Sequence, residues 1–263
     1  MNVLPNYVKI PREIIYNTDI PEKRVIIFAY LCARRSLDDT VAFSTTELCN
    51  WSNLKPNYRQ GKINQKYYEI LLKLSELNYF KEYPDFNTLL FESTNSMKYH
   101  KVLLNIEKFD TPEGFGIIYF DELEKIINFK SILADTGINT ERMSSSYILL
   151  LLAYLRVNIR KDKNSPLCCY RLYKQISNDI GLSERYISRA VDILDKLRII
   201  KCHEMERISY IDSSGKNKFV TNLKVFANYR HFKKDVYGNM LLDQDYNPNT
   251  EIKNQIIKLN NKN

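Results

Sequence analysis

The chain has 263 residues, 44% hydrophobic and 27% charged, the balance of an ordinary globular protein able to bury a core. Its longest apolar run, 147–155, falls well short of the roughly 20 residues that cross a bilayer, and the N-terminus carries no signal-peptide pattern, so a cytoplasmic location is expected. Five scattered cysteines (Cys32, Cys49, Cys168, Cys169 and Cys202) contain no C-x-x-C, which argues against a disulfide framework or zinc ribbon and for buried reduced thiols.

The net charge is +8, and its location is informative. Residues 163–234 hold 15 Lys or Arg against 7 Asp or Glu, so the remainder of the chain is neutral. A concentrated basic surface attracts a polyanion by releasing its condensed counterions, and nucleic acid is its usual cytoplasmic partner. An acidic protein, a membrane surface or a merely solubilising face are the competing explanations.

In chain order, 7–15 reads as a short strand running into a helical turn. Pro21 opens a helix to about Arg35, with Val25, Phe28, Ala29 and Cys32 on one stripe. A brief strand at 41–43 precedes Ser44, an N-cap with Glu47 three residues on, which is a capping box. A loop over 52–62 leads into a helix from about Ile63 to Leu77, then strands at 79–83 and 88–92.

The second half repeats this order. A strand and turn at 116–123 and a linker through Asn139 are followed by a helix from Ser144–Ser146 to Arg160, with Ile148, Leu151, Leu152 and Leu155 inward. A helix over 172–180 ends at Gly181-Leu182-Ser183, a sharp turn with Ser183 capping the next helix, which reaches about Arg198. Strands at 199–205, 208–211 and 219–226 follow, with a polar hairpin tip at 212–217. The fold class predicted is therefore α+β, mostly helical, with two tandem winged helix-turn-helix domains bearing small β-hairpin wings. The first domain spans 1–106, the second 107–235, and 236–263 is a polar tail with at most a short helix near 252–259.

Over 183–197 the residues Ile187, Ala190, Val191, Leu194 and Leu197 make a core stripe, leaving Glu184, Arg185, Ser188, Arg189 and Asp192 opposite. A recognition helix presents its N-terminal turns to the DNA major groove in this way. Arg185 and Arg189 suit bidentate pairing with a guanine edge, while Ser183 and Ser188 suit phosphate or base contacts. Lys216 and Lys218 at the wing, with Lys174, Arg171, Lys201 and Arg207, are candidate phosphate contacts, and Tyr186 reads as a packing residue. In the first half Arg59, Lys62 and Lys66 suggest a second DNA reader. The alternative is that this domain packs against a partner protomer.

No G-x-x-x-x-G-K-[ST] stretch exists, and His100, His203 and His231 stand far apart, without H-x-H or H-E-x-x-H spacing. Asp243-x-Asp245 lies in the polar tail and reads as a solvated loop. With no nucleophile beside a base, neither catalysis nor a metal or other cofactor is expected.

Two consecutive winged helices with a basic second half, and above all the stretch Ile176-Ser-Asn-Asp-Ile-Gly-Leu-Ser-Glu-Arg-Tyr-Ile-Ser-Arg-Ala-Val-Asp-Ile-Leu194, resemble the plasmid and phage replication initiators that carry tandem winged-helix domains. The resemblance covers about residues 7–230 at the level of architecture. It implies binding of double-stranded DNA at repeated origin sites, with a dimer formed through the N-terminal domain and host replication proteins as further partners. A transcription regulator, a DNA-transfer accessory factor, or an adaptor whose winged helices bind protein would share the pattern.

Overall fold

The computed structural model describes residues 6–57, 59, 62–91, 98–109, 113–159, 168–204, 208–211, 216–220 and 223–229. It is an α+β chain with small antiparallel sheets. The first half runs β1 (Tyr7–Pro11), α1 (Arg12–Tyr16), α2 (Arg24–Ala33), β2 (Thr40–Phe43), α3 (Thr45–Trp51), α4 (Ile63–Glu76), β3 (Phe80–Glu82), α5 (Phe86–Phe91) and β4 (His100–Leu104). The second runs β5 (Phe115–Tyr119), α6 (Phe120–Ile127), α7 (Phe129–Ile132), α8 (Ser145–Asn158), β6 (Cys168–Arg171), α9 (Tyr173–Ile180), α10 (Glu184–Lys196), β7 (Ile200–Glu204), β8 (Ile208–Ile211), β9 (Asn217–Val220) and β10 (Lys224–Asn228).

The two halves match strand for strand. One sheet has the order β2-β4-β3 and the other β6-β10-β7, so in both the last strand lies between the first two. The two inserted pieces, α5 in one half and the β8–β9 pair in the other, fall at the same place, between the last two strands of the sheet. The helix ends correspond too. Asn78 and Arg198, just past α4 and α10, both adopt left-handed backbone, with φ of 61° and 55°. The next amide reaches back to the helix in each case, Tyr79 N–H to Leu74 O at 3.0 Å and Ile199 N–H to Leu194 O at 2.9 Å.

β1 and β5 join the halves. They pair antiparallel with Lys9 opposite Ile117, and the pairing is symmetric under exchange of halves. The first residue of α1 donates from Arg12 N–H to Gly114 O at 3.0 Å, and the first residue of α6 from Phe120 N–H to Asn6 O, also at 3.0 Å. Beneath this ribbon α2 packs against α8. Both helices are apolar on nearly every side, and α8 is buried without a break from Ile148 to Arg156. An all-round apolar helix belongs in an interior and not on a surface. One continuous hydrophobic core therefore runs through both halves.

Several expectations are corrected. The single stripes proposed for the helices over 21–35 and 144–160 are too narrow, because each helix packs against the other half as well as against elements of its own. Of the strand expected over 88–92, the described part is not a strand: Phe86–Phe91 is helical, and β4 supplies the pairing strand instead. Asp85 caps this helix, accepting from Asn87 N–H at 3.0 Å and Thr88 Oγ1 at 2.6 Å, while Phe86 is buried beneath Phe80 and Tyr83. A strand not foreseen, β6, lies between α8 and α9. The strand expected over 219–226 is two strands, β9 and β10, and Asn217 begins β9 and is not part of the tip. Their ladders keep one register, Glu204 opposite Lys224 and Ile208 opposite Val220. The capping box at Ser44 and Glu47 forms as expected. Arg207, Asp243, Asp245 and the tail 236–263 lie outside the described residues.

Gly116, paired with Ile10, allows β5 to lie directly on α8, since a Cβ there would sit 2.6 Å from the carbonyl oxygen of Ala153. Backbone meets backbone, so no side chain can move aside. Gly116→Ala is expected to lose about 1–3 kcal/mol in urea unfolding, or more where the strand cannot shift. Unchanged stability would mean that β5 and α8 are not in this close contact.

Candidate nucleic-acid interface

The clearest candidate surface is built by α9, the turn and α10. Gly181 follows α9 with φ of 76° and donates its N–H to Ser177 O at 2.9 Å, a conformation that glycine adopts without penalty. Ser183 has the extended backbone of an N-cap, but its side chain makes no capping hydrogen bond. The expectation that it caps α10 is thus corrected in part: the backbone is right and the hydroxyl does not serve. Along α10, Ile187, Ala190, Val191, Ile193 and Leu194 are buried. Tyr186 packs on Tyr147 of α8, ring centroids 4.8 Å apart, as a packing residue should.

Ser183, Glu184 and Arg185 are exposed at the start of this helix. Arg185 makes no hydrogen bond or ion pair among the described residues, so its guanidinium stands ready for an outside acceptor. Ser188 is half-buried against Tyr173 of α9. Arg189 is also half-buried, and its Nη1 donates to Glu141 O of the linker at 3.4 Å. The two arginines, equivalent in the sequence pattern, thus occupy different surroundings. Lys174 is exposed in the first turn of α9, Lys216 is exposed just before β9, and Lys218 sits on β9 opposite Tyr210.

Three further basic residues of this half are engaged. Arg171 turns inward, donating to Tyr154 Oη, Asn158 Oδ1 and Tyr170 O, so it is not a surface phosphate contact. Lys201 pairs with Asp195 at 3.1 Å and Lys224 with Glu204 at 2.6 Å. Asp192 is exposed on the outer face of α10, and its carboxyl is held above the usual range by partial burial and by Asp195 nearby, against the opposing pull of Lys224.

In the first half the corresponding helix is α4. Arg59, Lys62 and Lys66 are all exposed, with Lys62 at the N-cap position in extended backbone. Asn64 holds the preceding loop, accepting Asn57 N–H at 2.9 Å and donating to Thr45 Oγ1 at 3.2 Å. Lys62, Lys66 and Lys73 follow one helical stripe, and Lys73 is paired with Glu76.

What holds the two turns in place was invisible in the sequence. Arg24 is 1% exposed, and its guanidinium donates to four carbonyl oxygens: Ile14 at 2.7 Å, Ile15 at 2.7 Å, Ile20 at 2.9 Å and Ile180 at 3.3 Å. The last belongs to the end of α9, in the other half. Burial pushes the Arg24 pKa down to about 10, against the pull of Glu22, so the group stays charged at neutral pH. The methyl of Thr18 lies over Gly181, 3.7 Å from where a Cβ would stand. The reciprocal brace is Asn53, with φ of 54° just past α3, whose Nδ2 donates to Ile127 O at 2.6 Å and Ser145 Oγ at 2.9 Å across the halves. Each half therefore fixes the turn of the other.

The thiols fit a structural role: burial pushes those of Cys49, Cys169 and Cys202 up to about 12, which keeps them protonated and unreactive at neutral pH. Among the described residues no group of His, Cys, Asp and Glu is placed to hold a metal ion, and no helix is long and apolar enough to cross a membrane. Searches of protein-family models and of curated proteins find no match to this chain.

Arg24→Met is expected to destabilise the protein by about 3–5 kcal/mol, because it strands several buried carbonyl groups at once. Arg24→Lys should recover only part of this loss, since an ammonium cannot spread its donors as the planar fork does. Chemical denaturation of both variants tests this; equal stability of Lys and Arg would show that charge alone, and not the fan of donors, secures the brace.

Proposed function

We propose that the chain is a sequence-specific double-stranded DNA-binding protein made of two winged-helix units, and that it initiates replication of a plasmid, phage or mobile element. The observation that carries this reading is the repeated order of helix, strand, two helices and two strands, with the last strand central in each sheet, together with a third helix that presents exposed basic residues in both halves. In this architecture the third helix enters the major groove. The β8–β9 extension then acts as the wing, carrying Lys216 and Lys218 toward phosphates or the adjacent groove. The role requires binding energy alone and no catalysis.

The two readers differ. α10 offers Arg185, whose planar fork matches a guanine edge, while α4 offers Lys62 and Lys66, which act as point charges. Two unlike readers braced within one chain favour an asymmetric site bound by one molecule. Such sites repeat in one direction along an origin. An operator palindrome instead mirrors the two-fold symmetry of identical subunits.

Binding is tested by titrating the protein against random duplex, and against duplexes selected from a random pool, at several salt concentrations. A steep loss of affinity with salt is expected, and a flat response would remove the DNA reading. Arg185→Ala should weaken the selected duplex by about 10- to 150-fold and random duplex far less. Mapping bound sites on the replicon that carries the gene distinguishes the roles: directly repeated sites beside an AT-rich tract fit initiation, and a single palindrome at a promoter fits a transcription regulator.

A further inference from the structure

The linker that follows α7 does not run clear of the protein but lies beside α10. Between them is an open groove of about 750 Å³, with Ile138 and Asn139 on the linker side and Arg189, Lys196 and Arg198 among the residues of the helix side. Arg189 bridges the groove's upper end through its contact with Glu141 O. Lys196 and Arg198 are exposed, and their side chains make no hydrogen bond or ion pair among the described residues. Of the two acids that also line the groove, Asp195 is already engaged by Lys201 and by a hydrogen bond from Tyr229 Oη. The cations thus exceed the free carboxylates: Arg185, Arg189 and Lys196 fall on one helical stripe, the last two about 10 Å apart along the axis with Asp192 as the one acid between them.

Resting on the DNA reading above, we infer that this seam between linker and α10 holds the sugar-phosphate backbone of one DNA strand, with Arg189, Lys196 and Arg198 as phosphate contacts and Arg185 as the arginine that reads a base. The groove suits a backbone because it is open along its length and its cations are strung out, not gathered at one point. It offers little to an acidic peptide, which would need an apolar anchor beyond the edges of Ile138 and Tyr229. The division of labour between the arginines follows from their surroundings. Arg185 projects freely at the start of the helix, where bases are met, while Arg189 is already turned sideways toward an oxygen acceptor of the linker. The linker becomes part of the interface and not only a tether.

The test uses the full chain with random and selected duplexes over a range of salt. In the Lys196→Gln/Arg198→Gln double variant the slope of log affinity against log salt should fall by about 2, close to 0.9 for each lost phosphate contact. Affinity at moderate salt should drop roughly 10-fold for both duplexes, leaving their ratio unchanged. Arg189→Ala should likewise lower both together, whereas Arg185→Ala should lower the ratio. The charge-preserving Lys196→Arg/Arg198→Lys variant should restore the slope, which separates a charge effect from a folding defect. If the wild type shows a steep slope that the double variant retains, the seam is overturned while the DNA reading stands. If the wild type shows no slope, both fall together. If polyglutamate displaces duplex from the wild type but not from the double variant, and the slope is the same in both, the groove belongs to an acidic protein partner and the inference fails.

Discussion

The guanidinium of Arg24 is removed from water with no carboxylate among the described residues bonded to it, and the structure accommodates that charge with four backbone carbonyls. Removing an ion from water costs several kcal/mol even after relaxation, so the arrangement persists only if all the acceptors converge. Three come from the end of α1 and the loop behind it, and the fourth from the end of α9. The position of α9, the turn and α10 is therefore tied to the first half's opening segment. Asn53 imposes the matching condition in the other direction, on the ends of α6 and α8.

This crossed bracing alters how the linker should be understood. A chain with two binding units on a flexible tether would lose conformational entropy on engaging both. Here β1 with β5, α2 with α8, and the two braces set the relation between α4 and α10 before any ligand arrives. Two helices held in a fixed relation lose less freedom on engaging one ligand and discriminate spacing more sharply. The linker, relieved of its role as a tether, is free to line one side of α10.

Much of the local structure was legible from the sequence because it is encoded locally. The Ser44–Glu47 box, the apolar stripe of α10 and Gly181 after α9 all involve residues within one or two helical turns. What was not legible depends on distant partners. Arg24 looks like any basic residue near a helix start, and only the fold brings Ile180 to it. Residues 88–92 have the composition of a strand, but Asp85 and the burial of Phe86 commit Phe86–Phe91 to a helix, and the partner strand comes from farther along the chain. Lys196 was one turn beyond Asp192 on the stripe already identified. Only the N-terminal turns of a recognition helix are expected to meet DNA, so a cation this far down the helix carries no signal in the sequence.

The concentration of positive charge in residues 163–234 first pointed to nucleic acid, and the structure narrows what that charge can do. Arg171 supports Tyr154 and Asn158, Lys201 neutralises Asp195, and Lys224 neutralises Glu204. A partly exposed pair such as these adds little stability, but it removes a cation from the supply that a polyanion would meet. Among the described residues the outward charge is accordingly carried by fewer groups, and four of them, Arg185, Arg189, Lys196 and Arg198, are ordered along α10 and its seam. An unordered basic surface would bind any polyanion. Cations in line with a helix that also carries an unencumbered arginine can combine backbone attraction, which sets affinity, with a base contact, which sets sequence.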